Sequence, residues 1–84
     1  MELVFTHEAW EDHQHWLATD LRRIKKFNAL LREILREPDD GIGKSEPPKH
    51  DFRGCWSRRI DGESRVIYKV AGAQIWLLQL RYHY

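Results

Sequence analysis

The stretch CWSRRIDGESRVIYKVAGAQIWLLQLRYHY (residues 55–84) decides the fold. Residues 55–60, 64–70 and 75–82 are short runs rich in β-branched and aromatic side chains, parted by turn residues at Asp61, Gly62 and Gly72. This is the pattern of antiparallel strands joined by tight turns. Ahead of Gly54, residues 49–53 read as one more strand. In the last strand Ile75, Leu77, Gln79, Arg81 and His83 share one side by alternation, and Trp76, Leu78, Leu80, Tyr82 and Tyr84 share the other. Both sides begin apolar, which predicts a central strand, and polarity emerges only at Arg81 and His83. On the strand before it Arg65 shares a side with Ile67 and Lys69. The Asp61–Gly62 turn leaves open whether Arg58 or Arg59 lies across from Arg65, because a one-residue slip exchanges them.

Upstream of this meander the period changes. Glu2–Phe5 reads as a first strand, and Thr6 as the N-cap of a helix running to about Leu17, with Glu8, Glu11 and Asp12 in its opening turns. Trp10, Trp16 and Leu17 are its apolar candidates. Thr19 or Asp20 caps a second helix, in which Leu21, Ile24, Phe27, Leu31, Ile34 and Leu35 recur at helical spacing. Pro38 closes it. Residues 38–48 hold two glycines, three prolines and three acids, and read as a linking loop. The resulting fold class is α+β: a two-helix hairpin packed on one face of a small twisted antiparallel sheet, with the other face left for function.

At 84 residues the chain is read as a single domain, residues 1–84. A domain of this size buries only roughly 60% of the surface its unfolded chain exposes. Four Trp, three Tyr and three Phe suit a small, dense core. One cysteine, Cys55, excludes an internal disulfide framework, and no CxxC pair or Cys/His cluster has zinc-ligand spacing. His13 and His15 stand two apart on a helix and point to different sides, so with His7 they read as surface residues, and no metal or cofactor is expected. The start of the chain shows neither a signal peptide nor an apolar run of membrane-spanning length, which points to the cytoplasm. The net charge of +1 hides an asymmetry: residues 1–43 carry six Lys/Arg against nine Asp/Glu, and residues 44–84 carry eight against four. Arginines and aromatics interleave in the basic half, a composition suited to a nucleic-acid surface.

The segment Gly41-Ile-Gly-Lys44, then Glu46, Lys49, His50, Gly54, Trp56-Ser-Arg-Arg-Ile60, Arg65, Tyr68 and the terminal Arg81-Tyr-His-Tyr84 closely resembles the YoeB toxins of the RelE/ParE superfamily. The resemblance runs from the first strand to the last residue. It implies the fold read above and a ribosome-dependent messenger-RNA endonuclease, the toxin of a type II toxin–antitoxin pair. It also implies catalytic roles for Glu46, Arg65 and His83, phosphate contacts from Lys49 and Arg59, and closure of the site by Tyr84. The implied partners are the ribosome with mRNA in its A site, a YefM-like antitoxin whose disordered C-terminal segment folds on this surface, and a second copy in a homodimer. Departures from the family pattern are modest: Ser45 and Pro48 flank Glu46, and Ser64 precedes Arg65.

RNA carries its own nucleophile, so these residue types suffice without a metal. Glu46 as base takes the 2′-hydroxyl proton, Arg65 stabilises the charge that builds on phosphorus, and His83 as acid protonates the leaving 5′-oxygen. Histidine suits the last role because its reference pKa of about 6.5 lies near working pH. Two other functions fit the same chain: a ParE-like gyrase poison, which shares the fold but lacks the Glu/Arg/His set, and a non-catalytic module that docks nucleic acid or a partner on the basic face.

Overall fold

The computed structural model describes residues 1–37 and 54–82. The expected strand at residues 49–53, together with Glu46, Lys49, His83 and Tyr84, lies outside the described residues. The elements run β1 (Glu2–Phe5), α1 (His7–Thr19), α2 (Leu21–Arg36), β2 (Trp56–Arg59), β3 (Arg65–Ala71) and β4 (Gln74–Tyr82). They form two helices against a four-stranded sheet of order β1-β4-β3-β2. The β2–β3–β4 meander is antiparallel, and β1 joins it parallel to β4, so the complete sheet is mixed. That direction is set where β1 ends: Thr6 N–H donates to the Leu77 carbonyl at 3.0 Å, and the Thr6 hydroxyl donates to the Leu78 carbonyl at 2.9 Å. No helix of the described residues is long and apolar enough to cross a membrane.

Three polar side chains fix the element ends. The Thr6 oxygen accepts the Ala9 N–H at 3.2 Å, which caps α1 with the same hydroxyl that reaches β4. Asp20, rather than Thr19, joins the helices: its N–H closes α1 on the Trp16 carbonyl at 2.7 Å, and its carboxylate accepts the Arg22 and Arg23 N–H groups that open α2. Asp61 organises the β2–β3 turn by accepting the N–H groups of Glu63 and Ser64, each at 2.8 Å. Arg23 then reaches across from α2, with Nε 2.9 Å from Asp61 Oδ2 and Nη2 2.6 Å from Glu63 Oε2.

The core lies between the helices and one face of the sheet. Ile24, Phe27 and Ile34 of α2 meet Val66, Tyr68, Ile75, Leu77 and Leu80 of the sheet, all buried. α1 contributes differently from expectation. It buries Ala9 and Trp16, whereas Trp10 is 51% and Leu17 is 45% exposed. Positions 9 and 16 are two turns apart on one stripe, and positions 10 and 17 are each rotated about 100° from it. His13 is also not a simple surface residue: its ring stacks on Trp10 and meets Phe5 and Phe27 edge-on, and its Nδ1 is buried.

Burial pushes the Asp61 carboxyl up, but its two backbone N–H bonds and the Arg23 charge outweigh that and hold it below its ordinary 3.8. The lowered value means that the ionised carboxylate stabilises the fold above pH 3.8, and that this stabilisation is lost as pH falls through the lowered value. Asp61→Ala should therefore cost about 1–3 kcal/mol near neutral pH. Denaturant midpoints of parent and variant should converge as the pH is lowered below 4. A gap that persists unchanged to pH 2 would assign the effect to something other than the ionised carboxylate.

Candidate nucleic-acid interface

The register of the meander brings one row of residues level across three strands. Arg59 of β2 pairs with Arg65 of β3, and Arg65 pairs with Tyr82 of β4. The open alternative is thereby closed: Arg59, and not Arg58, lies across from Arg65. The cause is the length of the turn. A two-residue Asp61–Gly62 hairpin would set Arg58 opposite Arg65. Instead the Asp61 carboxylate gathers the next amides into a wider loop, closed by bonds from the N–H groups of Ile60 and Asp61 to the Ser64 carbonyl, and the pairing moves by one residue.

The two arginines of the Trp-Ser-Arg-Arg motif consequently do different things. Arg58 pairs with Val66, is only 2% exposed, and turns toward the helix layer. Its Nε donates to the Tyr68 hydroxyl at 3.2 Å, its Nη2 donates to the Glu37 carbonyl at 2.9 Å, and its guanidinium lies 5.9 Å from the centre of the Tyr68 ring. It ties β2 to the end of α2 and is a structural arginine. Arg59 is exposed and Arg65 half-buried, both on the face away from the helices. That face is not bare beside them, since Ser57 and Ile67, which alternate to the same side, are fully buried.

Directly opposite residues of an antiparallel pair hold their Cβ atoms about 4.5–5.5 Å apart, and like charges placed so repel. Two arginines at directly opposite strand positions offer several N–H donors to an anion with several acceptor oxygens, which is the property of a phosphate. Tyr82 ends the row, and the chain then continues directly into His83 and Tyr84. Among the expected site residues the structure thus brings Arg59 and Arg65 together; Glu46, Lys49, His83 and Tyr84 lie outside the described residues. Among the described residues no group of three His, Cys, Asp or Glu side chains is arranged to hold a metal ion. Cys55 is buried, and that burial pushes its thiol up, partly offset by Lys69, which disfavours the thiolate.

Alternation did not anticipate the path of β4. Leu80 is buried in the same core as Ile75 and Leu77, and Arg81 is exposed. Register shifts between Arg65 and Ile67 and between Ile67 and Tyr68 break the period of two. A period-two reading cannot detect an inserted residue, because each bulge is stabilised by partners far away in sequence.

Comparison with known proteins agrees with this architecture. The chain is 45% identical to Toxin YoeB of Streptomyces coelicolor over the full length of both. A YoeB/ParE toxin structure from Agrobacterium tumefaciens is 44% identical and superposes over the whole of both chains with a TM-score of 0.89. The Staphylococcus aureus YoeB, 36% identical, matches as a dimer with a TM-score of 0.88 and in a heterotetrameric YoeB–YefM toxin–antitoxin complex with 0.84, each covering 100% of this chain and 98% of the other. The family model of the YoeB-like toxins of bacterial type II toxin–antitoxin systems matches residues 5–84, and the chain belongs to that family.

Proposed function

We propose that this toxin is a ribosome-dependent messenger-RNA endoribonuclease that stops translation by cutting the transcript in the A site. The observation that carries the reading is the Arg59–Arg65–Tyr82 row, which sets two arginines directly opposite each other on the basic half of the chain, with His83 next in the sequence after Tyr82. Glu46 removes the proton of the 2′-hydroxyl, and the freed oxygen forms a bond to phosphorus. As the bond from phosphorus to the 5′-oxygen breaks, His83 delivers a proton to that oxygen. Arg65 carries the charge that builds on the non-bridging oxygens, with Lys49 and Arg59 on the flanking phosphates and Tyr84 closing the site. The products are a 2′,3′-cyclic phosphate and a 5′-hydroxyl, and no metal takes part.

Release from toxicity comes from an antitoxin of the YefM kind, as in the complex of the S. aureus relative, and that relative's dimer supports a second copy as a further partner. Inducible expression with transcript-end mapping, with and without the antitoxin, tests the whole reading. New 5′-hydroxyl ends inside translated codons, suppressed by the antitoxin, are the expected result. Inhibited supercoiling without new RNA ends would favour the gyrase poison instead. On intact ribosomes cleavage should proceed whichever divalent ion sustains them; loss of cleavage restored by only one specific divalent ion, at matched ionic strength and with ribosomes intact, would reject the acid–base scheme.

A further inference from the structure

β4 outlasts the strand beside it. β1 ends at Phe5, opposite Leu77, whereas β4 continues to Tyr82. Past that point the start of α1 takes the place of a strand. Thr6 bonds the Leu77 and Leu78 carbonyls, and further along the helix Asp12 Oδ2 accepts the N–H groups of Leu80 at 2.9 Å and Arg81 at 3.2 Å. Two consecutive amides converging on one oxygen is not ladder geometry, in which hydrogen-bonded and non-bonded positions alternate; it belongs to a bulge.

This is where the register of β4 changes. Between the Tyr68–Leu77 pair and the Arg65–Tyr82 pair, β3 advances by three residues and β4 by five. Unshifted continuation of the Tyr68–Leu77 pairing would place Leu80 opposite Arg65. The two extra residues draw Tyr82 back by about 6–7 Å of strand, at 3.2–3.4 Å per residue. They also let Leu80 turn into the core while Arg81 points outward. A carboxylate suits the task, because hydrogen bonds to an ionised acceptor are roughly twice as strong as neutral ones.

We propose that Asp12 is a positioning residue of this site: by holding the Leu80 and Arg81 amides it fixes the bulged register that brings Tyr82 level with Arg65. Its effect on rate rests on the nuclease reading, and its geometry does not. An acid on the α1 face, far in sequence from the basic half, thereby sets the spacing between two strands that carry the chemistry.

The test measures amide hydrogen exchange and single-turnover cleavage on the same folded preparations of the parent, Asp12→Ala, Asp12→Asn and Glu8→Ala. In Asp12→Ala, exchange should accelerate at Leu80 and Arg81 while the β3 core amides stay protected. Cleavage should slow by about 10–100-fold, the scale of a misplacement near 1 Å, with ribosome affinity little changed. Asp12→Asn keeps an acceptor oxygen and should recover most of the rate, and it serves as the test variant if Asp12→Ala does not fold. Glu8→Ala removes a similar charge one turn earlier, where the carboxylate accepts from the Gln79 side chain at 3.3 Å and from no backbone amide among the described residues of β4, and should cut like the parent. Unchanged exchange at the two amides overturns the inference, as does a rate loss that merely follows protection lost throughout the core. If the parent itself leaves RNA uncut, the nuclease reading fails separately. Selective acceleration then still supports the anchor, and its absence overturns it.

Discussion

A message whose scissile nucleotide carries 2′-H or 2′-OCH₃ should be bound by the ribosome and toxin as well as the natural message and should not be cut. The substitution removes the attacking oxygen or blocks it, and leaves every phosphate in place for Arg59, Arg65 and Lys49. No residue of the proposed scheme can substitute for the missing nucleophile, because Glu46 only accepts a proton and His83 only delivers one. The loss should therefore be complete within detection, a larger effect than removal of any one side chain. Single-turnover cleavage of a message with one modified nucleotide, with toxin occupancy measured in parallel, checks it. A deoxy substrate cut at the same bond would replace the mechanism with water or protein as nucleophile, and a modified substrate that no longer binds would show that the 2′-hydroxyl serves recognition.

His83→Ala should slow single-turnover cleavage by about 10²–10⁴-fold, the usual contribution of a positioned general acid or base, with ribosome affinity nearly unchanged. Binding and chemistry separate at this position. In the proposed scheme other residues build the basic surface that meets the RNA, while the 5′-oxygen is a poor leaving group until it is protonated. Arg65→Ala makes the contrast: in the proposed scheme its guanidinium acts on the phosphate before and during the transition state, so rate and affinity should both fall. Glu46→Gln should keep shape and lose the base. Near-parental cutting by folded His83→Ala would move the acid role to Tyr84 or to a group of the ribosome.

Both helices and the three-strand meander were legible in the residues because their signals are local. Asp20 caps α2 through the amides of Arg22 and Arg23, two and three residues along the chain, and the spacing of Ile24, Phe27 and Ile34 repeats within one helix. Arg59 and Arg65 were expected as site residues through the resemblance of the surrounding motif, but alternation left open whether Arg59 or Arg58 shares the face of Arg65. The side of α1 that faces the core was not legible. Trp10 is as apolar as Trp16, and which of them is buried depends on where α1 docks on β4, a matter settled by Thr6 and Asp12 reaching the β4 backbone.

By itself the sequence determined the layer architecture, the basic half and the residue types that acid–base cleavage of RNA needs. Only the tertiary structure decided how those residues meet. The Asp61 carboxylate, clamped by Arg23 from α2, widens the β2–β3 turn by one residue and so selects Arg59 over Arg58 as the neighbour of Arg65. Asp12, 68 residues before Leu80, takes the amides of the bulge and sets Tyr82 in the same row. Strand register has a period of two, so one inserted residue exchanges the faces and a second restores them further along. An inserted residue is stable only where its displaced amides find acceptors. Here the acceptors come from elements distant in sequence, where no local pattern records them.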